Sequence, residues 1–121
     1  MTVRFPISSE IGGDLVGMAI AELRLCKVNR QETVVLFTDT RTNPNYVSAF
    51  LAAGKELAGS IFEVKVPFLP EAEGKSINLA PVLAVLKSAD FVLDLSTGST
   101  LYIYGEGLGA VLAGGTRVLQ V

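Results

Sequence analysis

Asp39 and Asp94 each close a run of apolar residues, Val34-Val35-Leu36-Phe37 and Phe91-Val92-Leu93, and each lies beside hydroxyl-rich chain. Two carboxylates on one rim can do general acid–base work or hold a hard cation through oxygen. The same residues can do quieter work, because an aspartate at a strand's end accepts the backbone N–H groups of the turn that follows. No third ligand at a recognisable spacing decides between the two. Ser96-Thr97-Gly98-Ser99-Thr100 carries a similar duality. Such a turn can present a nest of N–H groups to an anion or to the oxygens of a small substrate, or it is an ordinary strand-to-helix connection. Tyr104 is the one phenol near that rim, either a candidate catalytic group or a half-buried packing aromatic.

Gly105-Glu106-Gly107-Leu108-Gly109-Ala110 matches the dinucleotide fingerprint with Ala last. Its context does not fit. The fingerprint should follow the first strand of its unit and be completed by an acidic residue about 20 positions on, whereas this one comes late. A helix start loosened by glycine explains it better. More decisive is the absence of histidine from all 121 residues. Histidine bases, histidine-dependent triads and the commonest transition-metal ligand are all removed. Catalysis confined to this chain would fall to carboxylates, Lys, Tyr or Ser.

Composition narrows the partners. The net charge is −2 and no block of Lys or Arg stands out, which argues against nucleic acid. No apolar run reaches the roughly 18 residues of a membrane span. Cys26 is the only cysteine, so no internal disulfide forms and a reducing compartment fits. With no charged and then apolar leader in Met-Thr-Val-Arg-Phe-Pro, the expected location is cytoplasmic. Half the chain is hydrophobic, a surplus that predicts self-association into a homo-oligomer.

These groups need a frame. Val34 to Phe37 is an unbroken β-branched and aromatic run, which suits a central strand covered on both faces. Asn43 and Pro44 then read as the N-cap and first position of a helix, which Val47, Phe50, Leu51, Gly54 and Leu57 continue to Ala58-Gly59. Before the strand, Ser8 to Cys26 spaces Leu15, Met18, Ala19, Leu23 and Cys26 as a helix, whose first turn Gly12 and Gly13 weaken so that Asp14 is an alternative start. Ile61 to Val66 alternates and belongs nearer a sheet edge. Pro67 to Ser76 is a loop, Leu79 to Leu86 a short helix and Phe91 to Leu95 a third strand. A frayed helix over Leu108 to Ala113 and a fourth strand over Thr116 to Val121 complete the alternation. The expected fold is α/β, a Rossmann-like three-layer domain with a four-stranded parallel sheet and helices on both faces. Ligands in such sheets sit beyond the strands' carboxyl ends, here Thr38 to Asn43 and Asp94 to Thr100.

Taken together, Thr33 to Asn43, Ile61 to Pro67, Lys87-Ser88-Ala89-Asp90-Phe91-Val92-Leu93-Asp94 and Ala113-Gly114-Gly115-Thr116-Arg117-Val118-Leu119 resemble the amino-terminal domain of the 2,5-dihydroxypyridine 5,6-dioxygenase family. These enzymes open the ring in nicotinate and nicotine breakdown and are related to leucyl aminopeptidase-like metalloproteins. The Ala-Asp-led strand followed by Gly-Thr-Arg is the most specific element of the likeness. The resemblance implies an extradiol-type dioxygenase using non-haem Fe(II), held by two histidines and a carboxylate in the family's carboxyl-terminal domain. It implies that residues 1–121 are one α/β domain, the amino-terminal part of a longer enzyme, without a cofactor of its own and inactive alone. Its partner would be the missing metal-binding domain, and the loop after the third strand, Ser96 to Thr100, would face substrate. Some relatives place a histidine there, thought to help proton transfer; the nearest position here is Tyr104, which departs from that pattern. Two alternatives stay open: a self-contained Rossmann-like module that takes a nucleotide or small anion at Ser96 to Thr100, and the equivalent domain of an aminopeptidase-like metalloenzyme.

Overall fold

Val34 to Phe37 form the middle of strand β1 (Thr33–Asp39), and every residue from Val34 to Asp39 is buried. The computed structural model describes residues 14–68, 80–98 and 106–121. Strands β2 (Ser60–Val66) and β3 (Phe91–Asp94) flank β1 in parallel, and β4 (Arg117–Gln120) pairs in parallel with β3. The order is therefore β2-β1-β3-β4.

Alternation along β1 divides the core in two. Val34 and Leu36, with Phe91 and Leu93 of β3, pack against helices α1 (Asp14–Leu25) and α2 (Pro44–Leu57) through Ala19, Leu23, Phe50 and Ala53. Val35, Phe37 and Val92 face α3 (Ala80–Ser88) and α4 (Glu106–Ala113) through Leu86 and Val111. The result is the expected three-layer α/β domain. Two-sided burial explains why β1 carries no polar residue between Val34 and Phe37.

The topology follows from crossover geometry. The chain leaves β1 for β2 through α2 on one face, then returns through α3 on the other face to reach β3 on the far side of β1. Keeping one hand for both crossovers requires that change of face. Strand order thus reverses between β1 and β3, and the loops at their carboxyl ends diverge and leave a crevice.

The helix ends obey local chemistry. Asn43 is the N-cap of α2, its side chain accepting the Asn45 N–H at 2.9 Å, with Pro44 in the first turn. Gly59 follows the C-cap Ala58, but the reason for glycine is steric: a Cβ there would run into the Arg30 carbonyl oxygen. Helix α3 runs to Ser88, beyond the expected Leu86, and the Ser88 hydroxyl donates to the Val85 carbonyl at 2.6 Å. Helix α4 begins at Glu106 rather than Leu108, so Gly107 and Gly109 lie inside it, and Gly115 supplies the left-handed turn (φ 92°) that ends it. Among the described residues no helix is long and apolar enough to cross a membrane.

Candidate functional site

The crevice lies where β1 and β3 end side by side. Phe37 is in register with Asp94, and the Leu95 N–H donates to the Phe37 carbonyl at 2.8 Å, so pairing continues until the two chains part. Beyond that point Asp39 ties them together. Although it closes a strand, it is 1% exposed. One carboxylate oxygen accepts the Arg41 N–H at 2.8 Å; the other accepts the Thr97 N–H at 2.6 Å, the Thr97 hydroxyl at 2.7 Å and the Gly98 N–H at 2.9 Å. The Thr42 hydroxyl adds a second tie, accepting the Asp39 N–H at 2.9 Å and donating to the Leu95 carbonyl at 3.1 Å. Burial by itself would raise the pKa of Asp39. The donors from Thr97, Gly98 and Arg41 outweigh it and hold the carboxyl below its ordinary range.

Asp94 is fully buried, and its Oδ1 accepts both the N–H and the hydroxyl of Ser96, at 2.9 and 2.6 Å. Hence the N–H groups of Ser96, Thr97 and Gly98 all point at the protein's own carboxylates. The turn-capping reading of both aspartates accounts for these contacts. A nest needs free N–H groups to hold an anion, and in this part of the turn they are already engaged. Ser99, Thr100 and Tyr104 lie outside the described residues.

What remains open is a cleft of about 500 Å³. Arg41, Asn43 and Tyr46 line it from the β1 side, Leu95 and Thr97 from the β3 side, and Val121 from the end of the sheet. The Arg41 guanidinium lies 4.1 Å from the ring centroid of Phe68. Of the rim expected at Thr38 to Asn43 and Asp94 to Thr100, the described residues Arg41 to Asn43 and Leu95 to Thr97 line the cleft and were legible from the strand ends. Tyr46 and Val121 were not, since one reads as a helix residue and the other as the tail of a strand.

The residues offer little to a transition metal. Among the described residues no group of three or more His, Cys, Asp or Glu could hold a metal ion, and both Asp39 oxygens are engaged by N–H and O–H donors. This donor set does not fit a resident Fe(II) centre.

At the opposite, amino-terminal rim the sequence's most specific motifs are structural. Asp90 accepts the Thr33 N–H at 2.8 Å and so caps the start of β1. The Thr116 hydroxyl donates to the Ala89 carbonyl at 2.7 Å, while Arg117 pairs with Glu32 at 2.6 Å and donates to the Cys26 carbonyl at 3.3 Å. Ala-Asp and Gly-Thr-Arg thus fasten β3 and β4 to the entry of β1.

Comparison with known proteins adds two findings. Residues 14–121 match the sequence model of 2,5-dihydroxypyridine 5,6-dioxygenase. The solved structure of 2,5-dihydroxypyridine dioxygenase from Pseudomonas putida KT2440 superposes with a TM-score of 0.76 at 22% identity, over 96% of this chain and 35% of that one. At that identity the superposition speaks for the fold, and this chain spans little more than a third of that enzyme's length. No curated protein sequence matches the chain.

Proposed function

The chain belongs to the 2,5-dihydroxypyridine 5,6-dioxygenase family, and from that membership we propose that it is the substrate-facing amino-terminal domain of a ring-opening dioxygenase. The substrate class is hydroxylated pyridines of the 2,5-dihydroxypyridine type, formed in nicotinate degradation. The observation that carries the reading is the cleft at the β1/β3 switch point, which a parallel α/β sheet offers to ligands. Tyr46 and Leu95 give it an apolar wall for an aromatic ring. Arg41 and Asn43 give it a cation and a carboxamide for ring oxygens.

On this reading the chain binds and orients; it does not turn substrate over by itself. The family's Fe(II) would be held by polypeptide beyond this chain, since the described side chains here do not fit it. The work left to this domain is to hold one face of the ring and to keep the wall rigid through the Asp39 ties. Engaged N–H groups on the Ser96 to Gly98 turn also disfavour the nucleotide-module alternative.

The test is a titration of the isotope-labelled chain with 2,5-dihydroxypyridine, followed by amide chemical shifts, with oxygen uptake and bound iron measured on the same preparation. Saturable shifts at Arg41, Tyr46 and Thr97, lost in Tyr46→Ala, without oxygen uptake, are the expected result. Stoichiometric tightly held iron with oxygen uptake would overturn the inactive-domain reading. Sub-millimolar nucleotide binding at Thr97 and Gly98 would favour the module instead.

A further inference from the structure

We propose that the outer edge of β2 is a self-pairing surface, through which two copies of this chain join their sheets by antiparallel β2–β2 contact. Strand β2 ends the sheet, and no described residue pairs with its outer side. It is seven residues long, equal to β1 and longer than either β3 or β4. An edge of this length offers a row of N–H and C=O groups to any matching strand. It also carries Phe62, which is 58% exposed.

The side chains along β2 choose both the partner and the register. Two identical strands that pair antiparallel about a two-fold axis normal to the sheet must be centred on a residue, because only then do opposed side chains share a face. Centring on Glu63 sets that carboxylate against its own copy, and centring on Lys65 sets ammonium against ammonium; both are penalised. Centring on Val64 is different. It sets Glu63 of each copy against Lys65 of the other, twice over, and places Phe62 of each copy opposite Val66 of the other. Phe62, Val64 and Val66 are in register with Val35, Phe37 and Asp39, so the new apolar pairs extend the face covered by α3. Glu63 and Lys65 fall together on the α2 face, along a hollow of about 200 Å³.

Lys65 can reach the seam, and Glu63 brings to it the carboxylate oxygen that Thr38 does not hold. Lys65 is exposed and has no ion-pair partner among the described residues, while Glu63 is held by the Thr38 hydroxyl at 2.7 Å, close to the sheet. A second hollow, of about 360 Å³, lies beside Phe62 under Gly54 and Gly59 and leaves room for the copy's chain beyond Val66. The two-fold axis keeps the α1/α2 layers of both copies on one face of the joined sheet, with α2 of each copy on either side of the seam. The occupant that fits this edge is therefore a second copy of the chain.

Sedimentation velocity across a concentration series tests the surface. Wild-type chain is expected to show a monomer–dimer equilibrium. Lys65→Glu places like charges opposite at both ends of the seam and should weaken the dimer about tenfold or more, and Glu63→Lys likewise. The double swap Glu63→Lys with Lys65→Glu restores both pairs and should recover most of the affinity. Circular dichroism and melting confirm that each variant folds. In a Cys26→Ser background, Val64→Cys lies on the axis and should yield a disulfide-linked dimer on oxidation, whereas Phe62→Cys faces Val66 and should not. A strictly monomeric wild type, a dimer indifferent to the single charge changes, or no rescue by the swap overturns the proposal; the latter two would assign the association to another surface or partner.

Discussion

Asp39 holds Thr97 twice, once through the backbone N–H at 2.6 Å and once through the hydroxyl at 2.7 Å, across 58 positions of sequence. The loops after β1 and β3 thereby share one anchor at the mouth of the cleft, and that anchor is charged, buried and fully employed. Replacing it by Asn swaps an acceptor oxygen for an amide that competes with the N–H groups of Thr97, Gly98 or Arg41. The expected cost of Asp39→Asn is about 2–4 kcal/mol, with Thr97→Val, which keeps its N–H, costing about 1. Urea unfolding with unchanged m-values measures both. A loss below about 0.5 kcal/mol for Asp39→Asn would show that the carboxylate contacts are dispensable.

The same contacts set the acid limb of stability. Asp39 is held below the usual 3.8: burial opposes ionisation, but the hydroxyl of Thr97 and the N–H groups of Gly98, Arg41 and Thr97 outweigh it. Glu32 is lowered from 4.5 chiefly by the Arg117 guanidinium. A carboxyl whose folded pKa lies below its unfolded one leaves the unfolded chain binding more protons. Its contribution is therefore complete above the unfolded value, about 4, and is lost as pH falls through the folded one. The urea midpoint should be flat from about pH 7 to 5 and drop below about pH 4.5, and Asp39→Asn should flatten that drop. An acid limb equally steep in the variant would assign the dependence to other groups.

These side chains also mark what the sequence could and could not disclose. Local pattern was enough for β1, because four apolar residues in a row require cover on both sides, and for the edge position of β2, because alternation allows one wet face. Helix α2 was legible from Asn43-Pro44 for the same reason: its cap and its start are neighbours. The site was legible only as a rim. Asp39 meets Thr97, and Arg117 meets Glu32 across 85 positions, through a switch in strand order that no local period encodes. Tyr46 reaches the cleft only because α2 starts beside it. Glu22, buried on α1, breaks the rule that charges face water and was not foreseen.

Cys26 should be a sluggish thiol. It sits just past α1, half-buried, with its sulfur 3.9 Å from a Glu22 carboxylate oxygen. Burial first, and then the nearby negative charge, push its pKa above the ordinary thiol value, against a smaller opposing effect of Arg117. Since the thiolate is the reactive form, alkylation near pH 8 should run several-fold slower than for a free cysteine peptide, and Glu22→Gln should speed it. Rates with iodoacetamide, compared in native buffer and in urea, decide this; equal rates in both would remove any environmental effect.

Two helical glycines should respond oppositely to alanine. Gly17 lies exposed on α1, and a Cβ there would meet nothing within 4 Å. Alanine at that position gains helix propensity and costs no packing, so Gly17→Ala should stabilise the chain by about 0.5–1 kcal/mol. Gly54 is buried on α2 with Ile61 of β2 directly over it, and an added Cβ would overlap the Ile61 side chain down to its own Cβ. The tip of Ile61 can rotate away, but its Cβ moves only with the strand. The propensity gain of about 1 kcal/mol is therefore outweighed by overpacking of about 1–3 kcal/mol, and Gly54→Ala should destabilise. Paired melting curves supply the comparison. A stabilising Gly54→Ala would mean that Ile61 yields by the few tenths of an ångström its Cβ needs, and that α2 and β2 are less tightly packed at this contact than the distances indicate.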